Sequence, residues 1–91
     1  MAVTIKLPTQ LRPAAGNEVE ARVEAATVGE ALDALYRRHG ELRARMADDD
    51  GALRRFVNVY LGGEDIRFLD GLDTKVTDGD ELTILPAVAG G

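Results

Sequence analysis

Gly90 and Gly91 close the sequence, and no other residues in it have so clear a chemical use. Glycine adds no apolar surface and loses the most backbone freedom when it is ordered. A terminal pair therefore contributes little to packing. It does present a carboxylate with no side chain on its own residue or on the one before. Such a strip can thread a narrow enzyme channel and offer its terminal carbonyl to attack. The residues before it, Ala87, Val88 and Ala89, are small and uncharged, and no charged residue follows Glu81. From Ala87 to Gly91 the tail can extend roughly 17 Å at ~3.4 Å per residue. The expected organisation is a body over residues 1–86 and a flexible tail over 87–91 that presents Gly91.

The other candidates for chemistry are weaker. His39 is the only histidine, and no serine, cysteine or metal-ligand partner lies near it, so it is read as a helix-end residue. Asp48-Asp49-Asp50-Gly51 resembles a calcium loop but lacks the alternating ligands and the closing bidentate Glu; it is read as a solvated loop. Glu64 and Asp65 are neighbours that a strand would splay to opposite faces. Phosphate-cradling glycine patterns and a nucleophile turn are missing. No catalytic residue, metal ligand or bound cofactor is expected within the chain.

Composition narrows the class. With 91 residues the chain forms one small domain, able to bury about 60–65% of its unfolded surface. It contains 45% hydrophobic and 30% charged residues and no cysteine, so neither a disulfide framework nor a thiolate nucleophile is available. No apolar run reaches the ~20 residues a membrane span needs. The first residues alternate as a strand and lack the layout of a signal peptide; a cytoplasmic location is expected. Net charge is −5, and residues 48–91 hold four basic and ten acidic side chains against seven and six in residues 1–47. The acidic half carries the tail. That disfavours nucleic acid as a partner and suits a basic surface on a protein.

Patterning supplies the elements that must hold the tail. Val3, Ile5 and Leu7 alternate with Thr4 and Lys6, a strand with one buried face. Pro8 to Asn17, with Pro13 and the Gly16-Asn17 pair, reads as a loop. Glu18 to Ala25 alternates charged with apolar and pairs back on the first strand as a hairpin. Thr27-Val28-Gly29-Glu30 matches a capping box, and Val28, Ala31, Leu32 and Leu35 form one apolar stripe. Arg37, Arg38 and His39 suit the last helical turn, with Gly40 as left-handed cap. Glu41 to Met46 reads as a further turn that returns Leu42 and Met46 to the core. Phe56 to Leu61 is a third strand, with Val57, Val59 and Leu61 on one face; Gly62-Gly63 turns it into a short edge strand, Glu64 to Phe68. Leu72 and Val76 anchor the next connection. Asp78-Gly79-Asp80 makes a tight turn with Gly79 at positive φ. Leu82, Ile84 and Val88 complete the buried set, and Pro86 stops the last strand.

The order is strand, strand, helix, strand, short strand, strand. One sheet beneath the helix, with the first and last strands side by side, satisfies both apolar faces and the usual connection handedness. The fold class is α+β: a β-grasp, ubiquitin-like roll, with a mixed four- to five-stranded sheet packed on one main helix.

Arg55-Phe56-Val57-Asn58-Val59-Tyr60, Glu64-Asp65-Ile66-Arg67-Phe68, Asp78-Gly79-Asp80 and Leu85-Pro86-Ala87-Val88-Ala89-Gly90-Gly91 together resemble the small ubiquitin-like sulfur carriers. These include the thiamine-biosynthesis carrier, the molybdopterin synthase small subunit and the carrier of an actinobacterial cysteine route. The likeness is strongest to the last, through Thr4 to Pro13 and Arg55 to Phe68. It implies a protein cosubstrate rather than an enzyme. An ATP-dependent activating enzyme adenylates the Gly91 carboxylate, sulfur displaces AMP, and the thiocarboxylate donates sulfur to a synthase, in the cysteine route a cysteine synthase. Ala87, Val88, Ala89 and Gly90 would thread the partner's active site. ATP belongs to that enzyme; the carrier binds no cofactor of its own. The other members of the family are alternatives. So are two different classes: a ubiquitin-like modifier forming isopeptide bonds with lysines, and a plain interaction domain.

Overall fold

A computed structural model describes residues 1–86. Five strands, β1 (Ala2–Lys6), β2 (Glu20–Glu24), β3 (Val57–Leu61), β4 (Glu64–Asp65) and β5 (Glu81–Pro86), form one mixed sheet in the order β2-β1-β5-β3-β4. Helices α1 (Val28–Arg38) and α2 (Gly40–Met46) lie between β2 and β3 in sequence. The first and last strands are neighbours and parallel, Ile5 opposite Leu82. All other pairings are antiparallel. This is the expected β-grasp.

The alternation in β1 and β5 explains the core. Val3, Ile5, Leu82 and Ile84 are inaccessible, as are Val28, Ala31 and Leu35 of the helix stripe, and all belong to one apolar cluster with Leu32, Val57 and Val59. Burying a side chain of this size contributes on the order of 1.5–3 kcal/mol, so these few positions carry much of the domain's stability. Leu42 and Met46 are also fully buried. Leu61 and Leu72 are only partly buried at the margin of the cluster.

The start of α1 is held as its sequence suggests, with one change. Thr27 Oγ1 accepts the Glu30 N–H at 3.1 Å, while Glu30 Oε1 accepts from Ala26 N–H at 2.9 Å, one residue before the cap. The far end differs more. Gly40 does not adopt the left-handed conformation and opens α2 instead. His39 forms the corner between the helices, with φ −134° and ψ 85°. Its ring supports that corner, with Nε2 2.7 Å from Glu18 Oε1. The chain turns there because α2 has its own apolar pair to bury.

Two further segments depart from expectation. Residues Thr9–Ala15 form a 3-10 helix rather than an open loop, because Leu11, Ala14 and Ala15 are buried against the core. Pro13 sits within it, where the missing N–H and fixed φ are tolerated in so short a helix. The edge strand is only Glu64–Asp65; Ile66–Phe68 is a 3-10 turn, which buries Ile66 and leaves Phe68 exposed. Asp65 Oδ1 caps it by accepting the Arg67 N–H at 2.9 Å.

Tyr36, on α1 beside α2, has its phenol pushed up from the ordinary 10.0 to about 12. Burial is the main cause and the Asp33 carboxylate adds to it, while Arg43 pulls the other way. Because the folded value lies above the unfolded one, the folded chain holds the proton longer. Its contribution to stability is complete below pH 10 and is lost as the pH rises towards 12. A spectrophotometric titration, with Tyr36→Phe as the subtraction, should show this tyrosinate appearing only near the upper end of that window.

Candidate functional site

The tail that the sequence singles out, Ala87, Val88, Ala89, Gly90 and Gly91, lies outside the described residues, as does the expected burial of Val88. What the fold defines is where that tail departs. β5 runs six residues through the middle of the sheet. The strand continues through Pro86 rather than stopping before it, with Pro86 opposite Val57. Proline is tolerated there for a clear reason. The Val57 carbonyl faces away from β5, accepting from the Arg67 guanidinium at 2.9 Å. The Val57–Pro86 pair therefore makes no ladder bond, and the absent N–H costs nothing.

The other end of β5 is a lock. Asp78 Oδ1 accepts the Ala2 N–H at 2.8 Å, the Gly79 N–H donates to the Ala2 carbonyl at 2.8 Å, and the Thr4 N–H donates to the Asp80 carbonyl at 3.0 Å. Asp80 Oδ2 accepts from Thr77 N–H at 2.7 Å, closing the turn on itself. Gly79 sits at φ +90°, as the turn requires. The Asp-Gly-Asp motif thus fastens the start of β1 to the start of β5. It sets their parallel register and thereby aims β5's far end. It is structural rather than chemical.

This geometry separates two features that sequence reasoning placed together. The acidic residues Asp78 and Glu81 precede the tail closely in sequence, which suggests an acidic docking surface beside it. In space they lie at the opposite end of a six-residue strand, about 16 Å or more away over its five steps at ~3.3 Å per residue. Asp78 is engaged with Ala2 and Glu81 lies 3.8 Å from Lys6. The segments next to the departure point instead expose apolar side chains. Leu85 faces out of the sheet opposite Asn58 and is half exposed; Phe56, just before β3, is 52% exposed and Phe68 81%. The Arg67 guanidinium bonds Val57 and also reaches the Arg55 carbonyl at 3.4 Å, holding the Ile66–Phe68 turn against the start of β3. On the other flank, Lys6 to Gln10 and Arg12 form an open groove with Thr83, Ile84 and Leu85. The sequence carried a signal for one of these residues. Leu85 is out of phase with the buried pair Leu82 and Ile84, and an apolar residue on the wrong phase of a strand has to meet something other than the core.

No group of three or more metal-ligating side chains is found among the described residues. His39 meets Glu18 at a helix corner, with no nucleophile beside it. Asp48 turns its carboxylate back on its own loop, accepting from the N–H groups of Asp50 and Ala52 at 2.9 and 3.0 Å. No helix among the described residues is long and apolar enough to cross a membrane.

The family model for the ThiS family matches residues 5–91. The chain belongs to the ThiS family. Over its whole length this ThiS-family chain is 43% identical to the sulfur carrier protein CysO of Mycobacterium tuberculosis, covering all of both chains. Its backbone matches a chain in the crystal structure of the Amycolatopsis orientalis BexX/CysO complex with a TM-score of 0.90 and 48% identity, over 98% of this chain and 99% of that one. It is also 44% identical to the small archaeal modifier protein 1 of Haloferax volcanii, over 72% of this chain and 71% of that protein. The family match runs through Gly91, so it includes the glycine pair as well as the β-grasp body.

Proposed function

We infer that this ThiS-family chain is a small sulfur carrier protein of cysteine biosynthesis, a protein cosubstrate whose working group is the Gly91 carboxylate. The observation that carries this is the full-length likeness to CysO carriers joined to a family match that extends to Gly91. A carboxylate is a poor electrophile, so the chain needs an ATP-dependent activating partner. A carboxylate oxygen of Gly91 attacks the α-phosphorus of ATP and pyrophosphate leaves, giving an acyl-adenylate. A sulfur nucleophile from a donor then attacks the acyl carbon and AMP leaves. The product thiocarboxylate holds a soft, nucleophilic sulfur for a sulfur-accepting synthase, in this pathway a cysteine synthase. Nothing in the carrier has to act as acid or base. Its tasks are to present the tail, with Ala87 to Gly90 passing through the partner's channel, and to give that partner a surface to grip.

The exposed apolar residues Phe56, Phe68 and Leu85 suit that second task, because exposed apolar side chains in neighbouring segments can form an interaction site. Phe68 is almost wholly in solvent, so Phe68→Ala should leave the melting temperature unchanged. If the aromatic ring anchors the activating enzyme, kcat/KM for ATP–pyrophosphate exchange should fall roughly tenfold or more, the size of an interface hot spot. Unchanged exchange kinetics would remove Phe68 from the interface.

Likeness to a small archaeal modifier protein supports a second reading, in which the activated terminus forms isopeptide bonds with lysines. Intact mass spectrometry of the protein from its native host separates the two. A mass increase equal to replacing one oxygen by sulfur marks the carrier, and a ladder of conjugates marks the modifier. An unmodified terminus under every sulfur regime would defeat both.

A further inference from the structure

Pro86 leaves the end of β5 short of hydrogen bonds. It has no N–H to give, and the Val57 carbonyl opposite it faces the other way, towards Arg67. Bonded and unbonded pairs alternate along an antiparallel ladder, so Asn58 and Leu85 make the last bonds before the chain leaves the sheet. Where that exit lies therefore depends on how the start of β3 is held. The outer strand does not hold it: β4 is two residues long and pairs with Tyr60 and Leu61, at the far end of β3. The Val57 N–H closes locally on the Arg54 carbonyl at 3.0 Å and ties β3 to no other strand.

One side chain takes the place of the missing strand. Arg67 Nη2 donates to the Val57 carbonyl at 2.9 Å and reaches the Arg55 carbonyl at 3.4 Å. The backbone that carries it is fixed in advance. Ile66 is buried, Asp65 Oδ1 accepts the Arg67 N–H at 2.9 Å, and Asp65 pairs with Tyr60. The guanidinium is thus anchored at the far half of β3 and reaches back along the strand to its start. Arg67 forms no ion pair among the described residues, so no carboxylate competes for it. A hydrogen bond from a permanently charged donor is stronger than one between neutral groups.

We propose that Arg67 is a positioning residue for activation of the tail. By clasping the start of β3 it fixes the exit of β5, and with it the line along which residues 87–91 enter the partner's channel. The assignment rests on the sulfur-carrier function inferred above. A five-residue strip spans roughly 17 Å only when fully extended, which leaves little slack. A shift of its root would then pass to the terminal carboxylate, where a displacement of ~1 Å can cost about a hundredfold in rate. Arg67 need touch neither ATP nor the reacting carbonyl. It acts through β3 and Pro86, and so on the rate of adenylation rather than on binding of the carrier.

Two measurements on the full chain test this. Amide hydrogen exchange reads the exit directly and needs no partner. Arg67→Ala should speed exchange of the Asn58 and Leu85 amides by about tenfold. The Tyr60 and Thr83 amides, in the next bonded pair, should be unchanged. ATP–pyrophosphate exchange with a cognate activating enzyme reads the consequence. Its kcat should fall by about tenfold or more while KM for the carrier stays within about twofold. Arg67 is exposed, so the variant should fold; if it does not, Arg67→Lys, with a shorter reach and the same charge, carries both readouts with smaller changes. Unchanged amides at Asn58 and Leu85 overturn the proposal, and so do loosened amides with a normal kcat. A raised KM at unchanged kcat makes Arg67 a contact of the partner and overturns it too. If the unsubstituted chain supports no exchange, the sulfur-carrier function itself fails, and the role in activation falls with it whatever the amides show.

Discussion

A chain lacking Gly91 will melt at the same temperature as the full chain and will acquire no sulfur. Removing a glycine takes away no side chain, and the buried set of the described residues is complete by Ile84, so no apolar burial is lost. On the proposed function, an activating partner would by contrast lose its target: the carboxylate would move onto Gly90, one residue short along an extended strip, ~3.4 Å from where the α-phosphorus of ATP would be held. A displacement of even 1 Å at a reacting centre can cost about a hundredfold, so the expected result is loss of measurable ATP–pyrophosphate exchange. Adding one residue after Gly91 should do the same. Gly90→Ala should be milder but still damaging, since the methyl group narrows the fit and restricts the backbone. The measurement is exchange with a cognate activating enzyme beside thermal melts of the same variants. A Gly91-deleted chain that still turns over ATP and still gains sulfur would overturn the carrier function.

Leu35→Ala should have the opposite signature, impairing the fold rather than the terminus. Leu35 is fully inaccessible and belongs to the cluster formed by the helix stripe with Val3, Ile5, Val57 and Ile84. Truncating a leucine at such a site costs about 2–5 kcal/mol, the transfer term plus the cavity left behind. Against a total stability of about 5–15 kcal/mol that is a large share. For a domain this size the melting temperature should fall by on the order of 10–20 °C. Residual folded protein should still be activated at its tail, because Leu35 lies in the core and does not form part of the departure point. A change under ~0.5 kcal/mol in chemical denaturation would show that the stripe is not the core face.

Much of this was legible in the residues alone, and the reason is periodicity. The period-two alternation of Val3, Ile5 and Leu7 and of Ala21, Val23 and Ala25, and the helical spacing of Val28, Ala31, Leu32 and Leu35, leave one compatible layering, and all of these positions are buried. Gly79 at positive φ and the Thr27 cap follow from local chemistry that acts within four residues.

Where sequence reasoning went astray, the deciding contacts were between segments distant along the chain. Gly40 has the right type and position for a left-handed cap, but burial of Leu42 and Met46 continues the chain into α2 instead. The Thr9–Ala15 segment reads as a loop until Leu11, Ala14 and Ala15 meet the core. Ile66 is drawn inward, which ends β4 after two residues and turns Phe68 out to solvent. Location shows the same limit most plainly. Glu81 lies six residues before the tail in sequence and a full strand length from its departure in space, because β5 is extended. Phe56 lies far before the tail in the sequence, yet the pairing of its neighbour Val57 with Pro86 brings that segment to the end of β5. Local patterning specified the elements. Which residues flank the end of β5 was decided only by strand pairing, which joins residues according to register rather than their order in the chain.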